Sequence, residues 1–206
     1  MIDVTVIDSG IGNLGAIPNM LKRLGATATI TNDRDQIARA SRLILPGVGA
    51  FDTAMSSLRR SGLVEVLNER VLGAGMPTLG LCLGMQLLAD ESEEGVLPGL
   101  GWIPGRVVRF RLDGADRGLH VPQMGWNTVR IVRPAALLAN IGERPRFYFA
   151  HSYHFECDDP ADVVAVTTHG YEFPSVIQRR NVMGAQFHPE KSHRFGMKVL
   201  GNFLGL

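Results

Sequence analysis

Residues 77–86, Pro77-Thr78-Leu79-Gly80-Leu81-Cys82-Leu83-Gly84-Met85-Gln86, restrict the fold more than any other stretch. A short apolar run leads into Gly-x-Cys-x-Gly, and the helix-compatible Met85-Gln86-Leu87-Leu88-Ala89 follows. This is the spelling of a strand-to-helix turn with a reactive side chain at its tip, where glycines leave room that bulkier neighbours would fill. Such a turn needs a strand whose carboxyl end opens into a helix, the repeating unit of a parallel α/β sheet. Cys82 is predicted at the N-terminus of that helix. Unpaired N–H groups and the positive end of the helix dipole there favour a thiolate. Taken alone, a cysteine closing an apolar run is as readily a core residue, so its partners decide the matter.

The first half repeats the strand–helix unit. Residues 3–8 form a β-rich run, followed by the glycine loop Ser9-Gly10-Ile11-Gly12-Asn13. Leu14, Ile17, Leu21 and Leu24 then fall at helical spacing, with Pro18 placing the helix start near Ala16 and Gly25 placed to end it. Gly10-Ile11-Gly12 lacks the third glycine of a dinucleotide fingerprint and reads as a strand-to-helix turn. Further strands are predicted at 28–31, 42–45 and 78–81, and helices at 34–40, 52–60 and 63–72, the last two parted by Ser61-Gly62. The alternation implies parallel strands joined by right-handed crossovers, with helices on both faces. Sites in such sheets lie at the carboxyl ends of strands, where the loops holding Asn13, residues 47–49 and Cys82 all fall.

After Gly95 the pattern becomes extended. Segments at 102–112, 126–132, 147–155, 163–168, 175–179 and 182–187 are separated by glycine, proline and short polar stretches. This half is expected to be largely antiparallel, extending the sheet or covering its edge. A closing helix carries Phe195, Val199, Leu200 and Phe203 on one face, suited to packing back on the sheet. No linker separates the halves, so residues 1–206 are expected to form one domain.

Composition narrows the functional classes. Forty-five per cent apolar residues suffice for a full core, and a formal net charge of +1 with no basic block gives no footing for nucleic acid or a membrane surface. No apolar run reaches the length of a membrane span, and the N-terminal residues read as a strand and not as a leader. Two cysteines, Cys82 and Cys157, give no disulfide framework. The expectation is a cytoplasmic α/β enzyme with free thiols.

A cysteine that transfers acyl groups needs a base, an orienter for the base and an oxyanion hole. Of the six histidines, His188 in Gln186-Phe187-His188-Pro189-Glu190 has the most suggestive setting. Pro189 biases His188 toward extended backbone, and residues two apart in extended chain point to the same side. Glu190 is thereby expected beside one ring nitrogen of His188, leaving the other for Cys82. The Leu83 N–H is the natural first oxyanion donor, and the glycine-flanked loop Pro46-Gly47-Val48-Gly49 offers a second from Val48 or Gly49. A metal site built on His151 and His154, or on His188 and His193, matches no common ligand spacing, and none is expected.

The elbow, the 46–49 loop and the 186–190 run together resemble a class I, or triad, glutamine amidotransferase. Pro46-Gly47-Val48-Gly49-Ala50-Phe51, Gly99-Leu100-Gly101-Trp102-Ile103-Pro104-Gly105, Pro122-Gln123-Met124-Gly125-Trp126-Asn127 and Phe149-Ala150-His151-Ser152-Tyr153 are similar, more narrowly, to the glutaminase subunits of imidazole glycerol phosphate synthase. The resemblance runs from Asp8 to the C-terminus. It implies a three-layer, flavodoxin-like amidotransferase fold. It makes Cys82 the nucleophile, His188 the base and Glu190 its orienter. It places Gly49, Gln86, Ser152 and Tyr153 against the glutamine. No cofactor is implied. The freed ammonia has no consumer in this chain, so the resemblance also implies a (β/α)8-barrel cyclase subunit in a heterodimer, met through Asn13, Gln123, Met124 and Trp126. Gln123 stands where many such chains have histidine, and Asp8-Ser9-Gly10 and His154 also depart from the commonest spellings; none of these is in the triad. Glutaminases of other synthases, a cysteine peptidase or γ-glutamyl hydrolase, and a binding subunit with an idle triad are the competing readings.

Overall fold

The computed structural model describes residues 2–8, 10, 15–112 and 118–206. Its strands are β1 (Asp3–Ile7), β2 (Thr27–Thr31), β3 (Leu43–Gly47), β4 (Thr78–Cys82), β5 (Glu91–Ser92), β6 (Gly105–Arg109) and β7 (Gln123–Thr128). They continue as β8 (Arg130–Ile131), β9 (Arg146–His151), β10 (Tyr153–Cys157), β11 (Val163–His169), β12 (Tyr171–Arg179) and β13 (Val182–Ala185). The α-helices are α1 (Ala16–Arg23), α2 (Arg34–Ala38), α3 (Phe51–Arg60), α4 (Leu63–Asn68), α5 (Leu83–Gln86) and α6 (His193–Leu204).

The main sheet has the order β2-β1-β3-β4-β13-β12-β11-β8. From β2 to β13 every pairing is parallel; β12, β11 and β8 then add on antiparallel. The expectation of a parallel sheet extended by antiparallel strands holds, with one refinement. β13 returns from the second half to pair parallel with β4, in register from Val182–Thr78 to Ala185–Leu81. The end of β13 therefore lies beside the cysteine turn.

Alternation along the strands sorts side chains into two cores. Val4, Val6, Ile44, Leu79 and Leu81 face one side with Ile17 and Leu21 of α1 and Val199, Leu200 and Phe203 of α6. Ile7, Leu43 and Leu45 face the other with Ile37 of α2, Phe51, Met55 and Leu58 of α3, and Leu63 and Leu67 of α4. Strands buried on both faces are what an apolar, non-alternating run predicts. The closing helix packs as its sequence face implied, and Gly25, at φ +80°, follows the end of α1.

The expected strand 126–132 divides between β7 and β8, which lie in different sheets, and that at 182–187 ends at Ala185; three further segments differ for traceable reasons. The run 147–155 is not one strand. It breaks at Ser152 into β9, which pairs with β7, and β10, which pairs with β6. Phe147 and Phe149 enter the first core while Phe155 enters the second, so the chain crosses between layers at Ser152. The helix after Cys82 stops at Gln86. The carbonyls of Leu87, Leu88 and Ala89 are taken by N–H groups of Leu100, Trp102 and Gly101, which turn the chain aside. The same bonds hold residues 102–103 out of the strand expected there, leaving only Gly105–Arg109 extended. A four-residue helix carries little macrodipole, so the thiolate support expected from it is small.

Candidate active site

Cys82 ends β4 with φ 53° and ψ −112°, an unusual backbone for a residue with a side chain. Such conformations cost about 1–3 kcal/mol and persist where surrounding packing imposes them. Here the packing is visible. A Cβ on Gly80 would lie 2.5 Å from the Gly84 carbonyl oxygen, and one on Gly84 would collide with the Leu45 carbonyl of β3. The two glycines let strand and turn close on each other, as the sequence pattern required.

His188 follows β13 and is fixed at both ends of its peptide. Its N–H donates to the Tyr148 carbonyl at 2.9 Å, and its own carbonyl accepts from Ser192 Oγ at 2.6 Å. Ser192 Oγ also accepts from the Tyr148 N–H at 3.0 Å, tying the loop to β9. His188 Nδ1 lies 2.7 Å from Glu190 Oε1, and the imidazole contacts the Cys82 thiol. Glu190 reaches it differently from the pleated arrangement expected. His188 is extended (φ −97°, ψ 99°), but Pro189–Lys191 forms a 3₁₀ turn that swings Glu190 back to the ring.

Burial disfavours charge on His188, yet the Cys82 and Glu190 contacts outweigh it and push its pKa up to about 10. Burial likewise opposes charge on Glu190, but its bond and proximity to His188 hold the carboxyl below its usual range. The other thiol contrasts with this site. Cys157 is driven up to about 12 by burial, with Asp162, Asp158 and Asp159 adding to the effect.

Cys82 opens into a cavity of about 380 Å³. Val48, Gly49, Leu83, Gln86, Ser152, Tyr153 and His188 all line it, so the structure gathers the predicted nucleophile, base, oxyanion loop and glutamine contacts around one space. Gly49 has φ +95°, a conformation that suits glycine at a close backbone approach. Gln86 is buried, and its Nε2 donates to the Tyr153 carbonyl at 2.9 Å.

Glu94 and His151 line the same cavity; the sequence points to His151 only as a possible metal ligand and does not point to Glu94. Desolvation raises the Glu94 pKa, opposed in part by the Phe51 N–H that donates to its Oε2 at 3.0 Å. Glu94 lies in Asp90-Glu91-Ser92-Glu93-Glu94, where nothing in the spelling says which carboxylate turns inward. His151 places Nδ1 2.7 Å from the Tyr153 carbonyl and Nε2 3.0 Å from the Gln123 carboxamide. His154 bonds the Tyr171 hydroxyl at 2.9 Å. Among the described residues no three His, Cys, Asp or Glu side chains are grouped to hold a metal ion.

The residues expected to meet a partner are spread unevenly. Met124 is 67% exposed, and Trp126, at 40%, stacks on the His193 ring with centroids 5.4 Å apart. Gln123 is buried, its side chain turned inward to His151, though it borders a surface hollow with Met124 and Trp126. Asn13 lies outside the described residues.

The profile of the family "Glutamine amidotransferase class-I" matches residues 5–205. The chain belongs to the class I glutamine amidotransferase family. Among its relatives, "Imidazole glycerol phosphate synthase subunit HisH 2" of Pseudomonas aeruginosa is 50% identical, over 98% of this chain and 99% of that one. "Imidazole glycerol phosphate synthase subunit HisH" of Bdellovibrio bacteriovorus is 48% identical, over 97% and 98%. In fold, the chain is similar to "Crystal structure of glutamine amidotransferase", with a TM-score of 0.75 at 20% identity over 98% of this chain and 99% of that one. It is also similar to "Structure of PurLQS from Thermotoga maritima", at 0.75 and 18% over 98% and 97%.

Proposed function

We propose that Cys82, His188 and Glu190 hydrolyse glutamine in this chain, as the triad of a HisH-type glutaminase. The chain is the glutaminase subunit of imidazole glycerol phosphate synthase, an enzyme of histidine biosynthesis. One observation carries the site assignment: a cysteine at a strained strand end touches an imidazole whose far nitrogen is 2.7 Å from a carboxylate, and the cysteine and imidazole line one cavity.

In the first half-reaction the Cys82 sulfur attacks the side-chain amide carbon of glutamine, and the carbonyl oxygen takes negative charge. The Leu83 N–H and an N–H of Val48 or Gly49 receive that charge. His188 carries a proton to the departing amide nitrogen, the C–N bond breaks and ammonia leaves. Water then gives a proton to His188 and attacks the glutamyl thioester; the C–S bond breaks, releasing glutamate and restoring the thiol. Glu190 holds the imidazole through Nδ1 and stabilises its cation.

Ser152 and Tyr153, at the crossing between β9 and β10, and Gln86 hold the substrate in this reading. Glu94 is the candidate partner for its α-ammonium group, as the carboxylate lining the cavity. A synthase subunit that makes ammonia has a partner subunit. We take that partner to be a (β/α)8-barrel cyclase in a cytoplasmic heterodimer, with Met124 and Trp126 offering exposed apolar surface. No helix of the described residues is long and apolar enough to cross a membrane. Residues 1–206 act as one domain in this account.

The test is glutamate release from glutamine, by the chain alone and with a cyclase subunit and its nucleotide ligand. Release that is stimulated by the partner and abolished by Cys82→Ala supports the reading. No glutamate under either condition overturns it.

A further inference from the structure

Gln186 belongs to the Gln186–Glu190 stretch, of which the mechanism uses only His188 and Glu190. It follows β13 directly, its backbone N–H donating to the Ser175 carbonyl at 2.9 Å. The backbone bends at Gln186 and Phe187; Phe187 enters the first core, while the Gln186 side chain lies against Gln86 and Cys82. The Gln186 side chain is wholly buried. A carboxamide in that position must find partners for both its NH₂ and its carbonyl.

The orientation of that amide follows from a fixed point. The Tyr153 backbone carbonyl can only accept, so Gln86 Nε2 is the atom that faces it, at 2.9 Å. The second proton of Gln86 Nε2 goes to Gln186 Oε1, 3.1 Å away. The Gln186 NH₂ is thereby turned toward the cysteine, with Nε2 3.9 Å from Cys82 Sγ. A donor at that distance from a neutral thiol is weak; charge on the sulfur shortens and strengthens such a bond.

We propose that Gln186 is a positioning residue for glutamine hydrolysis, its N–H favouring the charged form of the Cys82 sulfur and its carbonyl locking Gln86. The inference rests on Cys82 being the nucleophile. Both protons of Gln86 Nε2 are engaged within the protein. Gln86 therefore presents only its carbonyl oxygen to the cavity and receives a substrate N–H without giving one. The titratable groups lining the cavity with Cys82 are His188, His151, Glu94, Tyr153 and Lys191. Gln186 adds to them a donor that neither titrates nor introduces charge.

The test is the rate at which iodoacetamide alkylates Cys82 in the full chain from about pH 5 to 10, read peptide by peptide against Cys157. Gln186→Glu keeps an acceptor for Gln86 but replaces the NH₂ with oxygen. Gln186→Asn keeps the chemistry on an arm too short to reach sulfur. The expected result in either variant is a midpoint of Cys82 alkylation about one pH unit higher, which is a tenfold loss of the reactive form below it. The kcat for glutamine falls by a comparable factor. Gln86→Met, measured beside them, is expected to raise KM and, by removing the donor that orients the Gln186 amide, to raise the midpoint by less than the Gln186 variants do. A wild-type midpoint in folded Gln186→Glu or Gln186→Asn, whatever its kcat, overturns the proposal. A wild-type chain in which Cys82 titrates no lower than Cys157 overturns the assignment of Cys82 instead.

Discussion

His151 and His188 line the same cavity, and each is 6% exposed, yet their surroundings push them in opposite directions. Burial works against charge on both. His151 meets a backbone carbonyl and a carboxamide, which are dipoles without net charge, and its pKa falls to about 3 with desolvation as the leading cause. His188 meets Glu190 and the Cys82 thiol, and its pKa rises to about 10 against the same opposition. Burial thus makes a cavity histidine inert unless an anion or an acidic group answers it. In the proposed reaction the answered histidine moves protons, and the unanswered one is a fixed piece of wall that carries the Tyr153 carbonyl and Gln123.

If that contrast is right, replacing the two residues has unequal consequences. His188→Asn is expected to lower kcat by about 10²- to 10⁴-fold, the range for loss of general acid–base catalysis. His151→Asn, which keeps a polar group in the wall, is expected to lower it by less than about tenfold. Steady-state glutamate release by both variants with the partner subunit checks this, and equal losses would break the comparison.

Glu190→Gln tests the cause of the difference. It removes the counter-charge and turns the His188 surroundings toward those of His151, so the imidazole midpoint drops below about 10. Activity at pH 8 falls by about tenfold for each unit the midpoint passes below the assay pH. Glutamate release from pH 6 to 9 reads it; an unchanged profile would leave Glu190 a bystander.

Stability against pH reads the same contrast from the folding side. His151 is neutral when folded and titrates near 6.5 when unfolded, so the unfolded chain takes up the extra proton as pH falls. Its contribution is therefore intact above pH 6.5 and is lost between 6.5 and about 3, on the order of 1 kcal/mol per pH unit. His188 has the opposite sense, its contribution being full below 6.5 and lost as pH rises toward about 10. Urea midpoints measured across that range should fall less steeply on the acid side in His151→Asn than in the parent chain. Parallel curves would contradict the buried neutral imidazole. The smallest effect is expected at the other thiol. Cys157→Ser should change glutamate release by less than about twofold, since burial and three nearby aspartates keep that sulfur protonated.

Much of this site was legible in the residues, because its parts are local. Gly80, Cys82 and Gly84 specify a turn through steric room, and the short spacing across Pro189 keeps Glu190 near His188, although a 3₁₀ turn and not the expected pleat delivers it. The parallel half of the sheet was legible for a similar reason, since apolar runs ending in glycine loops repeat at short range. What was hidden depends on distant strands meeting. The split of residues 147–155 at Ser152 reflects a choice between two cores that no local pattern records. The short helix after Cys82 reflects carbonyls claimed by the 100–102 loop. Glu94 and Gln186 acquire their places only once the 90–94 turn and β13 come up against β4 and its turn.

The most direct measurement is an NMR titration of the two imidazoles, with labelled histidine, from about pH 4 to 10 in the parent chain and in Glu190→Gln. His188 is expected to remain protonated well past pH 7 and to lose that elevation in the variant, while His151 stays neutral down to about pH 4 in both. Two imidazoles titrating together near pH 6.5, or a His188 already neutral at pH 7 in the parent chain, would contradict it.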